Sequence, residues 1–213
     1  MSGAPKIKIC GITTPAVLDA AIEAHADYVG LMFYAPSPRN IAPAQAAALA
    51  ARTDGRIGKV GVFVNAADTA IAEAVAAGQL DALQLHGAEP PQRAAQLRAA
   101  FGLPVWKVLA VASAVDIARA DAYAGAADLI LFDAKTPRGA LPGGMGLVFD
   151  WSLLGAYRGV LPWGLAGGLT AGNIAEALRY TGASLVDTSS GVESAPGVKD
   201  VDKIAAFCKA ARP

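Results

Sequence analysis

Eight times along its 213 residues, this chain sets a short apolar run ahead of a stretch with helical periodicity. The strand-like runs are Lys6-Ile7-Lys8-Ile9-Cys10 and residues 28–33, 59–64, 81–86, 105–111, 128–133, 163–166 and 185–188. The first helix is marked by Val17, Ala20, Ala21 and Ala24 on one face. Further helices are expected over 43–53, 65–77, 91–101 and 114–123, from near Asp150, over 171–180 and from Asp200 onward. The repeat is roughly 25 residues long, as in a closed barrel of strand-helix units. The strands are apolar on both faces, as a parallel sheet covered by helices requires. A doubly wound open sheet shows the same alternation but usually stops at fewer strands. The pattern therefore predicts an α/β chain forming a single (β/α)8 TIM barrel over 1–213, with 1–5 as a flexible tail and a phosphate site after strands seven and eight.

Composition narrows the function classes. A formal net charge of +0 supplies no basic stripe for nucleic acid. Hydrophobic residues make up 54% of the chain, yet they fall in short runs. The longest, 44–51, is interrupted by Gln45 and is far too short to span a membrane. The first five residues, Met-Ser-Gly-Ala-Pro, lack the basic and apolar parts of a signal peptide, so a cytoplasmic location is expected. Two distant cysteines make neither a disulfide framework nor a metal cluster. No apolar helix face looks left over, and a monomer is the expectation.

In a barrel, ligands bind at the carboxyl ends of the strands. Alternation puts Lys8 and Cys10 on one face of the first strand, with Cys10 at its end and Gly11 stopping it. Gln84 and His86 share a face, as do Leu129, Leu131 and Asp133, and Leu185 and Asp187. Cys10, His86, Asp133 and Asp187 should thus converge at one mouth, where an unpartnered buried thiol or carboxylate would be costly. Each has a plainer reading. A cysteine is often a small hydrophobe, as Cys208 is on the stripe Val201, Ile204, Ala205, Cys208. Lys8 either stabilises a Cys10 thiolate or simply pairs with Asp187. His86 suits a hydrogen-bonded turn equally well, and Asp133 suits a cap or a partner for Lys135. Arg39 is either a surface residue or a two-bond clamp for a carboxylate.

Three glycine-rich stretches add a second signal: Gly143-Gly144-Met145-Gly146, Ala166-Gly167-Gly168-Leu169 and Thr188-Ser189-Ser190-Gly191. Any one alone reads as a tight turn. Together they suit a cradle of backbone N–H groups around a phosphate, with Gly144, Gly146, Gly167, Gly168, Ser189, Ser190 and Gly191 as its candidates.

The ordered set Lys8-Ile9-Cys10-Gly11-Ile12-Thr13, Ser37-Pro38-Arg39, Gln84-Leu85-His86-Gly87, Leu131-Phe132-Asp133-Ala134-Lys135, Ala166-Gly167-Gly168-Leu169 and 187–193 resembles the phosphoribosylanthranilate isomerase family of tryptophan biosynthesis. The resemblance covers nearly the whole chain. It implies an Amadori rearrangement of a small phosphorylated substrate, with Cys10 as base, Asp133 as acid and Arg39 on the anthranilate carboxylate. His86, Asp187 and Lys8 would complete the substrate site, with neither metal nor organic cofactor. Met145 departs from the small polar residue common at that place. The related histidine-pathway isomerase resembles this scheme but uses two aspartates, against Cys10 here. A catalytically silent sugar-phosphate-binding barrel would have no need of Cys10, Asp133 and Arg39 together.

Overall fold

Short β-rich runs joined by helices close into a ring because each parallel strand needs a crossover and each crossover has the same hand. The computed structural model describes residues 4–135 and 146–212, with Ala156 by its backbone alone; Gly144 and Met145 lie outside them. The strands are β1 (Lys6–Cys10), β2 (Tyr28–Phe33), β3 (Gly58–Phe63), β4 (Ala82–Leu85), β5 (Val105–Val111), β6 (Leu129–Ala134), β7 (Trp163–Leu165) and β8 (Leu185–Thr188). Each pairs in parallel with the next, and β8 returns to β1 with Asp187 opposite Lys8 and Thr188 opposite Ile9. The (β/α)8 barrel predicted above is thus formed.

Around it lie α1 (Pro15–Glu23), α2 (Pro43–Thr53), α3 (Asp68–Gly78), α4 (Pro91–Phe101), α5 (Ala114–Ala118), α6 (Ile174–Thr181) and α7 (Val201–Ala211). Four helices depart from expectation for local reasons. The third begins at Asp68 rather than Asn65, because Asn65 takes a left-handed conformation (φ 50°) and its Oδ1 accepts the Ala88 N–H. The helix expected from Ala171 begins at Ile174. Asn173 first folds back, accepting the Thr170 N–H at 2.8 Å and donating to the Gly168 carbonyl at 3.0 Å. Where a helix was expected from near Asp150, the described residues form a 3-10 segment, Trp151–Ala156, whose start Asp150 caps through the Ser152 N–H. The helix expected over 114–123 likewise tightens into 3-10 geometry at Arg119–Tyr123, where Tyr123 donates its hydroxyl proton to the Glu89 carbonyl.

The strands bury both faces, and the two periods of the sequence divide the core accordingly. Ile7, Ile9, Val29, Leu83, Leu85, Ile130 and Val186 face the helices. Val60, Ala82, Trp106, Leu131 and Leu185 fill the barrel interior, closed below by the edge-on pair Tyr28 and Trp106. Above that layer sit Cys10, Met32 and Val62. Beyond β8 the chain makes a 3-10 turn, Ser190–Val192, and an antiparallel pair that was not anticipated, β9 (Glu193–Ala195) with β10 (Val198–Lys199). The Pro196-Gly197 dipeptide between them, with Gly197 at φ 81°, is the turn signal that could have revealed it.

Candidate active site

The end of β1 is bent sharply so that Cys10 faces inward. Gly11 adopts φ 82°, and the Gly11 and Ile12 N–H groups both donate to the Gly30 carbonyl at 2.9 and 3.0 Å. Cys10, Arg39, His86, Asp133, Asp187, Gly167, Gly168, Ser189, Ser190 and Gly191 line one opening at this end of the barrel. The strand-end side chains singled out from the sequence are therefore brought together. Lys8 lies one layer deeper, fully buried.

Lys8 Nζ donates to both carboxylate oxygens of Asp187, each at 3.0 Å, and also interacts with Cys10. The pairing of Lys8 with Asp187 is formed. Burial works against the Lys8 ammonium, but Asp187 and Cys10 outweigh it and hold the amine charged. Space here is tight: a Cβ on Gly30 would stand 2.8 Å from Cys10 Sγ and 3.0 Å from Lys8 Nζ, so only glycine fits behind the pair. The Cys10 thiol is pushed above its ordinary range, chiefly by burial and further by Asp187, with Lys8 and Lys199 pulling the other way. In the resting site Cys10 is a thiol, not the ready thiolate that the chemistry of a base calls for.

Across the mouth, Asp133 Oδ1 accepts the Ala134 N–H at 2.8 Å, and Oδ2 stands 3.3 Å from His86 Nε2. The other ring nitrogen, Nδ1, stands 3.3 Å from Gln84 Nε2. Lys135 is not the partner of Asp133; its Nζ lies 3.8 Å from Asp116 Oδ1.

Arg39 is buried rather than on the surface, and its Nε and Nη2 donate to Glu193 Oε1 and Oε2, both at 2.7 Å, so one of its two-bond edges is taken by β9. Lys199 on β10 completes the group, with Nζ 2.6 Å from Glu193 Oε1. Burial resists ionisation of Glu193, yet Arg39 and Lys199 hold its carboxyl below the ordinary range. Glu193 and Lys199 were missed because their partners lie on other strands and loops.

The described glycines of these loops, Gly146, Gly167, Gly168 and Gly191, lie close to neighbouring backbone or side chains. Gly167 and Gly168 have φ of 88° and 61°, and a Cβ on Gly168 would stand 2.8 Å from the Gly146 carbonyl oxygen. A Cβ on Gly191 would lie 1.9 Å from the Leu169 carbonyl oxygen, an impossible approach for any other residue. The N–H groups of Gly167, Gly168, Ser190 and Gly191 have no acceptor among the described residues, and they border the opening. Such groups suit an anion. The Ser189 hydroxyl is used elsewhere: it donates to the Cys10 carbonyl at 3.1 Å and accepts from Lys199 Nζ at 3.1 Å. Its proton is turned away from the cradle. Among the described residues no three His, Cys, Asp or Glu side chains gather as metal ligands would.

Residues 7–210 match the family model described as N-(5'phosphoribosyl)anthranilate (PRA) isomerase. The chain is 54% identical over 208 residues to the N-(5'-phosphoribosyl)anthranilate isomerase of Paramagnetospirillum magneticum, covering 97% of each protein. Among solved structures it is similar to the phosphoribosyl anthranilate isomerase of Thermotoga maritima, with TM-score 0.87, 37% identity and 98% of both chains covered. It is also similar to a phosphoribosyl anthranilate isomerase solved in complex with reduced 1-(o-carboxyphenylamino)-1-deoxyribulose 5-phosphate, with TM-score 0.85, 35% identity and the same coverage.

Proposed function

The chain belongs to the N-(5'-phosphoribosyl)anthranilate isomerase family, and from that premise we propose how its own residues run the reaction. It converts N-(5-phosphoribosyl)anthranilate into 1-(2-carboxyphenylamino)-1-deoxyribulose 5-phosphate, an aldose-to-ketose rearrangement in tryptophan biosynthesis. The observation that carries the residue assignment is that Cys10 on β1 and Asp133 on β6 face one opening bordered by unpartnered backbone N–H groups.

The phosphate sits against Gly146, Gly167, Gly168, Ser190 and Gly191, which anchors the sugar with its reacting carbons between the two side chains. Asp133 gives a proton to the ribose ring oxygen, the C1–O bond breaks, and the anthranilate nitrogen is left as a protonated Schiff base. Cys10, once it has lost its own proton to solvent, takes the proton from C2 as a thiolate, and the electron pair moves to form the enolamine. Tautomerisation yields the ketone, so the reaction is general acid–base catalysis throughout. Lys8 stabilises the Cys10 thiolate when it forms, and Asp187 holds Lys8 in place. Arg39, locked by Glu193, presents positive charge at the rim for the substrate carboxylate. No step calls for an electron acceptor or a Lewis acid.

The test follows loss of anthranilate fluorescence with substrate generated in situ. Cys10→Ser and Asp133→Asn should each lower kcat by about 10²-fold or more, with KM little changed. Full turnover in Cys10→Ser would remove the cysteine from the base role and return the silent-barrel reading. We place the protein in the cytoplasm as a monomer. Its most exposed large apolar side chains among the described residues, Val115, Val160 and Tyr180, come from three separate segments of the sequence. Sedimentation equilibrium showing a single-chain mass supports that assembly, and a dimer mass overturns it.

A further inference from the structure

Beneath the acid there is a buried amide that the mechanism has not used. Gln84 is only 1% exposed, and its side chain rises from β4 inside the barrel. Its Nε2 lies 3.3 Å from His86 Nδ1, while its Oε1 has no hydrogen-bond partner among the described residues. An amide nitrogen can only donate, so Nδ1 of the ring must accept, and the neutral imidazole then carries its proton on Nε2. The reverse placement of the amide would bury N–H groups without acceptors, a rarer and costlier state than an under-used carbonyl.

The consequence falls on Asp133. Its Oδ1 accepts the Ala134 N–H, and its Oδ2 faces His86 Nε2 at 3.3 Å. With a proton on Nε2, the lone pair of Oδ2 that points at the ring is occupied. A proton arriving on the carboxyl group must then take a lone pair away from His86, on the side open to the pocket. With the other tautomer, Nε2 would accept, and the acid's proton would be drawn toward the ring and away from the sugar oxygen. We infer that Gln84 is a positioning residue that fixes the Nε2–H tautomer of His86 and thereby aims the proton of Asp133 at the substrate. This rests on the assignment of Asp133 as the acid.

The chain has two histidines, so the ring nitrogens can be read directly by NMR of protein labelled with ¹⁵N-histidine. A His25→Asn variant, suited to the left-handed backbone at His25, identifies the remaining signals as His86. The wild type should show His86 as the Nε2–H form. Gln84→Met should give a mixture of tautomers, and Gln84→Glu, whose carboxylate accepts from Nδ1–H, should move the proton to Nδ1. In both variants kcat should fall at least about tenfold while KM stays within about twofold, because the phosphate cradle is untouched. An Nδ1–H ring in the wild type, or an unchanged tautomer in Gln84→Met, overturns the inference. So does a shifted tautomer with unchanged kcat. The tautomer is read in resting protein, so full activity in Asp133→Asn would refute the acid assignment separately.

Discussion

At the scale of single residues, the site sets a buried thiol against a buried ion pair, and the signs of their interactions can be worked out. Burial and the Asp187 charge raise Cys10, whereas Lys8 and Lys199 lower it, leaving the thiol above its ordinary range. The base form therefore grows as pH rises, and kcat should increase from neutral into mildly alkaline solution. Asp187→Asn removes a charge that opposes the thiolate and should move that limb to lower pH. Lys8→Met removes one that favours it and should move the limb to higher pH. Stopped-flow fluorescence across pH would show the two opposite displacements; shifts in the same direction would refute this account. Much of this was legible in the sequence, because period-two alternation alone placed Cys10, Asp133 and Asp187 at strand ends on inward faces. What alternation cannot reveal is who bonds to whom. The closure of Arg39 by Glu193 and the use of the Ser189 hydroxyl by Cys10 and Lys199 depend on contacts between distant segments.

At the scale of elements, the β9–β10 hairpin and α7 carry the interactions that pH can test. Glu193 is buried between Arg39 and Lys199 and held below its ordinary carboxyl range. Its contribution to stability is present above its unfolded value near 4.5 and is lost as pH falls through the lower folded value. Glu193→Gln removes the buried carboxylate that pairs with both Arg39 and Lys199 and should cost roughly 3 kcal/mol at pH 7. In urea titrations the gap from wild type should narrow below about pH 4. Cys208 on α7 shows the opposite sign. Burial pushes its thiol up to about 11, so the folded state favours the protonated form. That contribution is full below the ordinary thiol value and is lost as pH climbs through about 11. The excess stability of wild type over Cys208→Ala should shrink over that range, and a constant difference would contradict the burial argument. The helices themselves show why element boundaries are harder to read than their existence. The prolines at the first turns of α2 and α4 mark their starts directly, whereas α3 and α6 start late because Asn65 and Asn173 are tied to neighbouring loops.

At the scale of the whole molecule, the fold was legible because eight repeats of one pattern admit few closed solutions. The 3-10 segment Trp151–Ala156 was not, since its geometry depends on packing rather than on local preference. The ring also has a temporal consequence. Lys8 and Asp187 are 179 positions apart in the chain, and their bond forms only where the last strand meets the first. Bringing such distant segments together is entropically late. During refolding from urea, catalytic activity should therefore lag the return of helical circular dichroism and reappear with the slowest phase. On a ribosome, the same dependence would keep the emerging polypeptide silent toward its substrate until β8 has left the exit tunnel.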